Sequence, residues 1–148
     1  MHTPTQIASE LLHLSGQQGK TLTPMQLLKI TYISHGWMLG VHGTPLVSEQ
    51  AQAWRLGPVF KTLYSNTKKF GSSPVTSVAA QQPVFTEPQR DIVDSIFNHY
   101  SQFTGIQLSA MTHKAGSPWH ITWEREGRNS PISNDLIENY YRKMHKAI

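Results

Sequence analysis

Four short segments of this chain have the form of a helix start in which Thr is followed three residues later by Gln. They are Thr3–Gln6, Thr23–Gln26, Thr86–Gln89 and Thr104–Gln107. In such a capping box the Thr hydroxyl accepts a hydrogen bond from a free backbone N–H of the first turn, and the Gln side chain reaches back to the N-cap. In the first two boxes a Pro occupies the first helical position, where no N–H is needed. The boxes therefore predict helices beginning at four places.

Two further Ser residues, Ser117 and Ser133, precede helix-like segments and add two starts. Between residues 24 and 42 apolar side chains lie on more than one face, which predicts the central helix of the core. The fold class is therefore predicted as mainly α, with about six to seven helices in a single compact domain over residues 1–148. At most a small β element is expected, near residues 46–56 and 75–85, and residues 71–84 are otherwise predicted as an irregular loop rich in Ser, Pro, Gln and Gly.

The run Ala53-Trp54-Arg55-Leu56-Gly57-Pro58-Val59 stands out from these helices. It predicts a strand that turns sharply into a helix, because Gly57 permits an unusual backbone angle and Pro58 is suited to a helix start. The helix is expected to run from Val59. The run holds no nucleophile, carboxylate or metal ligand, so it indicates a structural element rather than a catalytic one.

The composition excludes several classes of protein. There is no Cys, so a disulfide scaffold, a zinc knuckle, an iron–sulfur site and a cysteine nucleophile are all ruled out. No run approaches the roughly 20 apolar residues that span a bilayer, and the N-terminus lacks the pattern of a signal peptide. We therefore expect a cytoplasmic protein without a membrane partner.

The titratable residues predict neither an enzyme nor a cofactor site. His113 and His120 are seven residues apart, as are His35 and His42, but neither pair has a carboxylate at ligand spacing. No Ser lies in a Gly-x-Ser-x-Gly turn, and the phosphate-binding glycine patterns do not occur. A hydrolase with an unrecognised site is kept as a third hypothesis.

A DNA-binding regulator of its own operon is the alternative function. The net charge is +4, and the predicted helix at 105–113 carries polar side chains that a recognition helix could use. These are Gln107, Ser109, Thr112, His113 and Lys114. However, the cations are scattered rather than concentrated in a stripe, so nucleic acid is the less favoured partner.

Four blocks together resemble the Panacea domain family, which includes SocA-like antitoxins and phage-associated proteins. The blocks are Leu22–Tyr32, Ala53–Val59 followed by Tyr64, Leu108–His113 followed by Pro118-Trp119, and Ile132 with the last helix to Tyr141. The resemblance covers roughly residues 5–145. The family's usual Lys-Leu-Leu-Tyr appears here as Lys29-Ile30-Thr31-Tyr32, so Thr31 is a departure that we interpret as a packing change.

The resemblance implies a mainly helical antitoxin, encoded by a bacterium or a phage, that neutralises a cognate protein toxin by direct contact. Some SocA-like members also deliver a toxin to a cellular protease, so a protease is a second candidate partner. No catalytic residue, cofactor or metal ligand carries over. The family signature comprises Trp54, Gly57, Pro58, Val59, Tyr64, His113, Pro118 and Trp119.

We expect this signature to be structural. Our hypothesis is that His113 and Trp119 pack against the corner at Gly57, and that His113 bonds a backbone carbonyl that the turn leaves free. The partner would then contact neighbouring surface. The candidate partner contacts are the cations Arg55, Lys61, Lys68 and Lys69.

Overall fold

The computed structural model describes all residues, 1–148. It contains seven helices and one small sheet, which confirms the mainly α prediction. The helices are α1 (Pro4–Gln17), α2 (Pro24–His42), α3 (Lys61–Thr67), α4 (Glu87–Tyr100), α5 (Gly105–Thr112), α6 (Pro118–Glu126) and α7 (Asn134–Lys146). The strands are β1 (Gln52–Trp54), β2 (Gly57–Val59) and β3 (Ser130–Pro131), and a single 3₁₀ turn, Lys68–Phe70, follows α3.

All four predicted capping boxes form in both directions. In α1, α2, α4 and α5 the Thr hydroxyl accepts from the backbone of the Gln, and the Gln side chain accepts from the backbone N–H of the Thr. Ser117 and Ser133 cap α6 and α7 through their side chains. The starts of these six helices are therefore determined locally.

Helix α2 is the centre of the molecule, and five helices and strand β2 pack around it. It is buried along most of its length, as its apolar residues on several faces predicted. Gly36 and Gly40 allow α7 to approach closely, since a Cβ at Gly40 would lie 2.7 Å from Tyr141. Gln26, the Gln of the α2 capping box, also donates from its side chain to Phe103 O, just before α5.

The run Ala53–Val59 is a β-hairpin, so the prediction of a strand that turns directly into a helix is wrong. Trp54 pairs with Gly57 and Ala53 with Pro58, which leaves Arg55 and Leu56 as a two-residue turn. The helix begins at Lys61, and Pro58 lies within β2 instead of starting it. The sheet order β2-β1-β3 makes β2 an edge strand, where the missing N–H of Pro costs little.

The β element expected near residues 46–56 is present as β1 at the end of that range. No strand forms in residues 75–85. Val75 is buried and its N–H donates to Leu22 O. Pro74, before this segment, and Pro83, within it, have no N–H to donate, which restricts strand pairing. The third strand comes instead from Ser130–Pro131, which pairs with Gln52 and Ala53. None of the helices is long and apolar enough to cross a bilayer.

Candidate functional site

Four side chains from distant parts of the chain contact the main-chain carbonyl oxygens of the hairpin turn. Trp119 Nε1 donates to Trp54 O at 2.6 Å, and His113 Nε2 lies 3.2 Å from Arg55 O. Lys29 Nζ donates to Leu56 O at 2.8 Å and to Pro58 O at 3.1 Å. Ser109 Oγ also donates to Leu56 O, at 3.2 Å. The hairpin corner, defined as Trp54–Val59 with Lys29, Ser109, His113 and Trp119, thus joins α2, α5 and α6.

Lys29 is the most unusual group of the hairpin corner. Its side chain is fully buried, and no carboxylate forms a salt bridge with it. Burial lowers the pKa of the Lys29 amine to about 7, because desolvation disfavours the charged form. The neutral amine keeps two N–H groups, one for each of its two carbonyl acceptors. Lys29 can therefore hold the turn in either protonation state.

Gly57 is required at this corner for two reasons. Its φ of +108° lies in a region that side chains with a Cβ rarely adopt. A Cβ at this position would also lie 2.7 Å from Lys29 Nζ and 2.9 Å from His113 Cε1. The absence of a side chain is what lets the lysine and the histidine reach the turn.

Aromatic rings pack on both sides of the hairpin corner. The rings of His113 and Trp119 meet at 4.3 Å between centroids, and Trp119 stacks on Trp123 at 5.3 Å. On the other side Trp54 meets Tyr64 at 4.9 Å. Pro118 begins α6 next to the Ser117 cap, which places Trp119 in the first turn, directed at the hairpin.

The structure brings all eight signature residues to one region of the molecule. Trp54, Gly57, Pro58 and Val59 form the hairpin, and the other four contact it or support the residues that do. The four candidate contact cations do not form one group. Arg55 is at the tip of the hairpin and Lys61 begins α3, whereas Lys68 and Lys69 lie in the 3₁₀ turn, and all four are exposed.

Lys29 and Ser109 are corner residues whose role the sequence analysis missed. The sequence contains a signal for Lys29, because the single Lys of a helix that is apolar on more than one face must find polar partners. Ser109 offers no comparable signal. Thr31, the departure from the family pattern, is also fully buried, and its hydroxyl has no hydrogen-bond partner.

Of the four histidines considered as metal ligands, His35, His113 and His120 form hydrogen bonds within the fold. His35 is buried, accepts from the N–H of Val47 through Nδ1 and contacts Asn134 through Nε2. Burial lowers its pKa to about 4. His120 Nδ1 accepts from the N–H of Gly116. No three His, Asp or Glu side chains lie close enough together to hold a metal ion.

Ser109 and His113 are close to each other but are not arranged as a nucleophile and its base. Ser109 Oγ lies 3.1 Å from His113 Nδ1, yet the same nitrogen lies 2.7 Å from the Ser109 carbonyl. The Ser109 hydroxyl directs its one hydrogen to Leu56 O, so that hydrogen does not point at the imidazole. The geometry gives the hydrolase hypothesis no support.

Most of the polar side chains in and just after helix α5, the candidate recognition helix, form hydrogen bonds within the protein. Gln107 closes the N-terminal cap, Thr112 is buried and bonds Leu108 O, and Ser109 and His113 bind the hairpin. Of the five polar residues on which the DNA-binding alternative relied, Lys114 alone has no such role. A helix whose polar side chains are engaged in this way has few free donors and acceptors with which to contact base edges.

The part of the chain that contains the hairpin corner matches a known protein family. Residues 27–120 match the SocA-like antitoxin family, Panacea domain, and the chain belongs to this family. The matched range contains the whole hairpin corner. The chain is also similar to Antitoxin SocA of Caulobacter vibrioides, with 25% identity over 134 residues that cover 83% of this chain and 71% of the relative. No solved structure matches.

Proposed function

We propose that this chain is an antitoxin that binds a cognate protein toxin directly and neutralises it without catalysis. The membership of the SocA-like antitoxin family, over a range that includes every residue of the hairpin corner, carries this proposal. The similarity to a curated antitoxin over most of the chain supports it. We further propose that the domain extends over residues 1–148 and that the protein acts in the cytoplasm.

The geometry of the corner supports a scaffold role for the signature. The carbonyls of the turn are already occupied by Lys29, Ser109, His113 and Trp119, and these side chains use their polar atoms in doing so. Groups that are satisfied internally have little to offer a partner. We therefore place the toxin contact outside the corner, on surface that the corner holds in shape.

Co-expression with the protein encoded next to this gene tests the proposal. We expect the neighbouring protein to arrest growth when it is expressed alone, and this chain to restore growth and to co-purify with it. A neighbour that is harmless, or that is neither rescued nor bound, would contradict the proposal. Binding of the gene's own promoter with a strong salt dependence would instead support the DNA-binding alternative.

The same strains distinguish neutralisation by binding from delivery to a protease. If the chain blocks the toxin sterically, rescue persists with the toxin at an unchanged level, in a stoichiometric complex. If it acts as an adaptor, the half-life of the toxin falls when the chain is present, and deletion of the protease abolishes rescue. We expect binding to be required in both cases, so a variant that does not bind should not rescue.

A further inference from the structure

An apolar groove runs along the molecule between α4 and α7, with α2 as its floor. Two adjoining cavities, of about 460 and 200 Å³, share His99, Tyr100 and Met144 in their walls. Trp37 of α2 lies at the base of the larger cavity, and Ile92 and Ile96 of α4 form one wall. We name this surface the α4–α7 groove.

Three apolar residues line the groove at regular spacing, two in α7 and one, Ile148, two residues beyond its end. Tyr140, Met144 and Ile148 follow at intervals of four residues and line one or both cavities. Met144 is 37% exposed and Ile148 94% exposed, although both are large hydrophobic residues. The stripe that they form is about 12 Å long at 1.5 Å per residue, which corresponds to about two turns of an opposing helix.

The one Lys or Arg that lines the groove is Lys114, and no acidic side chain lines it. His99 lines it as well. The last turn of α7 adds Lys143, His145 and Lys146. A partner with carboxylates beside its apolar residues would therefore meet complementary charge, which favours association and suppresses wrong partners.

We propose that the α4–α7 groove is the toxin-docking surface and that it takes an amphipathic helix whose apolar residues are flanked by Asp or Glu. Docking of the apolar face of a helix into a groove between helices is a common mode of recognition, with anchors at intervals of three or four residues. The larger cavity takes the anchors, and the cations of α7 and Lys114 meet the acidic flank. This inference rests on the proposed function, because that function supplies the partner.

A peptide experiment tests the groove without the toxin. The probe is a helical peptide of about 14 residues with Leu at every third or fourth position and Glu on both flanks, and its control carries Lys in place of Glu. We expect the acidic peptide to shift the methyl NMR signals of Met144, Ile92 and Ile96. The basic peptide should bind at least about tenfold more weakly. Absence of binding, equal affinity for both peptides, or shifts centred on Leu56 or Ile106 would overturn the proposal.

Substitutions then connect the groove to neutralisation. Met144→Glu puts a carboxylate into the apolar stripe at an exposed position, so the fold should tolerate it. We expect it to weaken binding of the acidic peptide at least about tenfold and to abolish growth rescue. Val84→Glu, at a residue that is 90% exposed and lies outside the groove, is the matched control and should leave both unchanged.

The outcomes separate the two proposals. If wild-type protein binds the acidic peptide at the groove but fails to rescue, the antitoxin function is wrong and the groove remains a helix-binding site. If wild-type protein and Met144→Glu rescue equally well, the function holds and the groove is not the docking surface. Light scattering that shows a wild-type dimer separated by Met144→Glu would mean that a second copy of this chain occupies the groove, and would also overturn the proposal.

Discussion

Lys29 is a buried amine that supports a β-turn from the middle of the central helix. Its pKa is about 7 in the folded protein, against about 10.4 in an unfolded chain. Between these values the unfolded chain binds a proton that the native protein does not, so this residue makes the free energy of unfolding rise with pH. Below pH 7 both states are protonated, and the contribution to the slope disappears.

We therefore predict that the free energy of unfolding of the wild-type protein increases between pH 7 and 9, by up to about 1.4 kcal/mol per pH unit. Urea denaturation across this range measures it. In Lys29→Met the increase should be largely lost, whereas Lys61→Met, at an exposed lysine, should retain it. Parallel pH profiles for wild type and Lys29→Met would show that the buried amine does not titrate in this window.

Gly57 is a second single residue on which the structure of the hairpin corner depends. Gly57→Ala should destabilise the protein by about 3 kcal/mol, because it combines backbone strain at positive φ with contacts to Lys29 and His113 that are too short. Gly116→Ala is the matched control. Gly116 also has positive φ, at +82°, but nothing lies within 4 Å of a Cβ there, so we expect a loss of about 1 kcal/mol. Equal losses in thermal denaturation would contradict the role assigned to the close approach.

At the scale of secondary-structure elements, His113 and Trp119 connect the hairpin to α5 and α6. We expect His113→Ala to cost about 2 kcal/mol, since it removes a ring packed on Trp119 and leaves the Arg55 carbonyl without that partner. Trp119→Phe should cost about 1 kcal/mol, since it keeps a ring but loses the bond to Trp54 O. In both variants, hydrogen exchange should accelerate in Gln52–Val59 more than in α1.

The exposed His13 provides the control for this prediction. His13→Ala should leave the melting temperature and the exchange of the hairpin unchanged. A His113→Ala protein with full thermal stability would refute the structural assignment of His113, and the signature would then have to be reconsidered as a partner contact.

The elements also show which parts of the fold are readable from sequence. The helix starts were predicted because each cap is a contact within four residues, as at Thr23–Gln26. The sequence does not predict the hairpin, because its turn is held by contacts from 27 to 65 residues away, such as Lys29 to Leu56 and Trp119 to Trp54. Gly57 and Pro58 were correctly identified as a turn signal, but the tertiary partners decide which turn forms.

At the scale of the whole molecule, the hairpin corner and the α4–α7 groove are built on different parts of α2. The hairpin corner lies on one part of α2 through Lys29, and the α4–α7 groove uses α2 further along, at Ile33 and Trp37. The family and the helical fold could be inferred from four sequence blocks. The groove could not, because its walls come from α2, α4 and α7, and only their packing shows which apolar residues remain uncovered.

His113 and Met144 therefore have different roles in one helical domain, and binding measured on folded variants tests this difference most directly. Calorimetric titration of the neighbouring gene's protein would compare His113→Ala and Met144→Glu, at a temperature where circular dichroism shows both variants to be folded. We predict that His113→Ala binds within about threefold of wild type and that Met144→Glu binds at least about tenfold more weakly. The reverse order, with binding lost in His113→Ala and retained in Met144→Glu, would contradict the account.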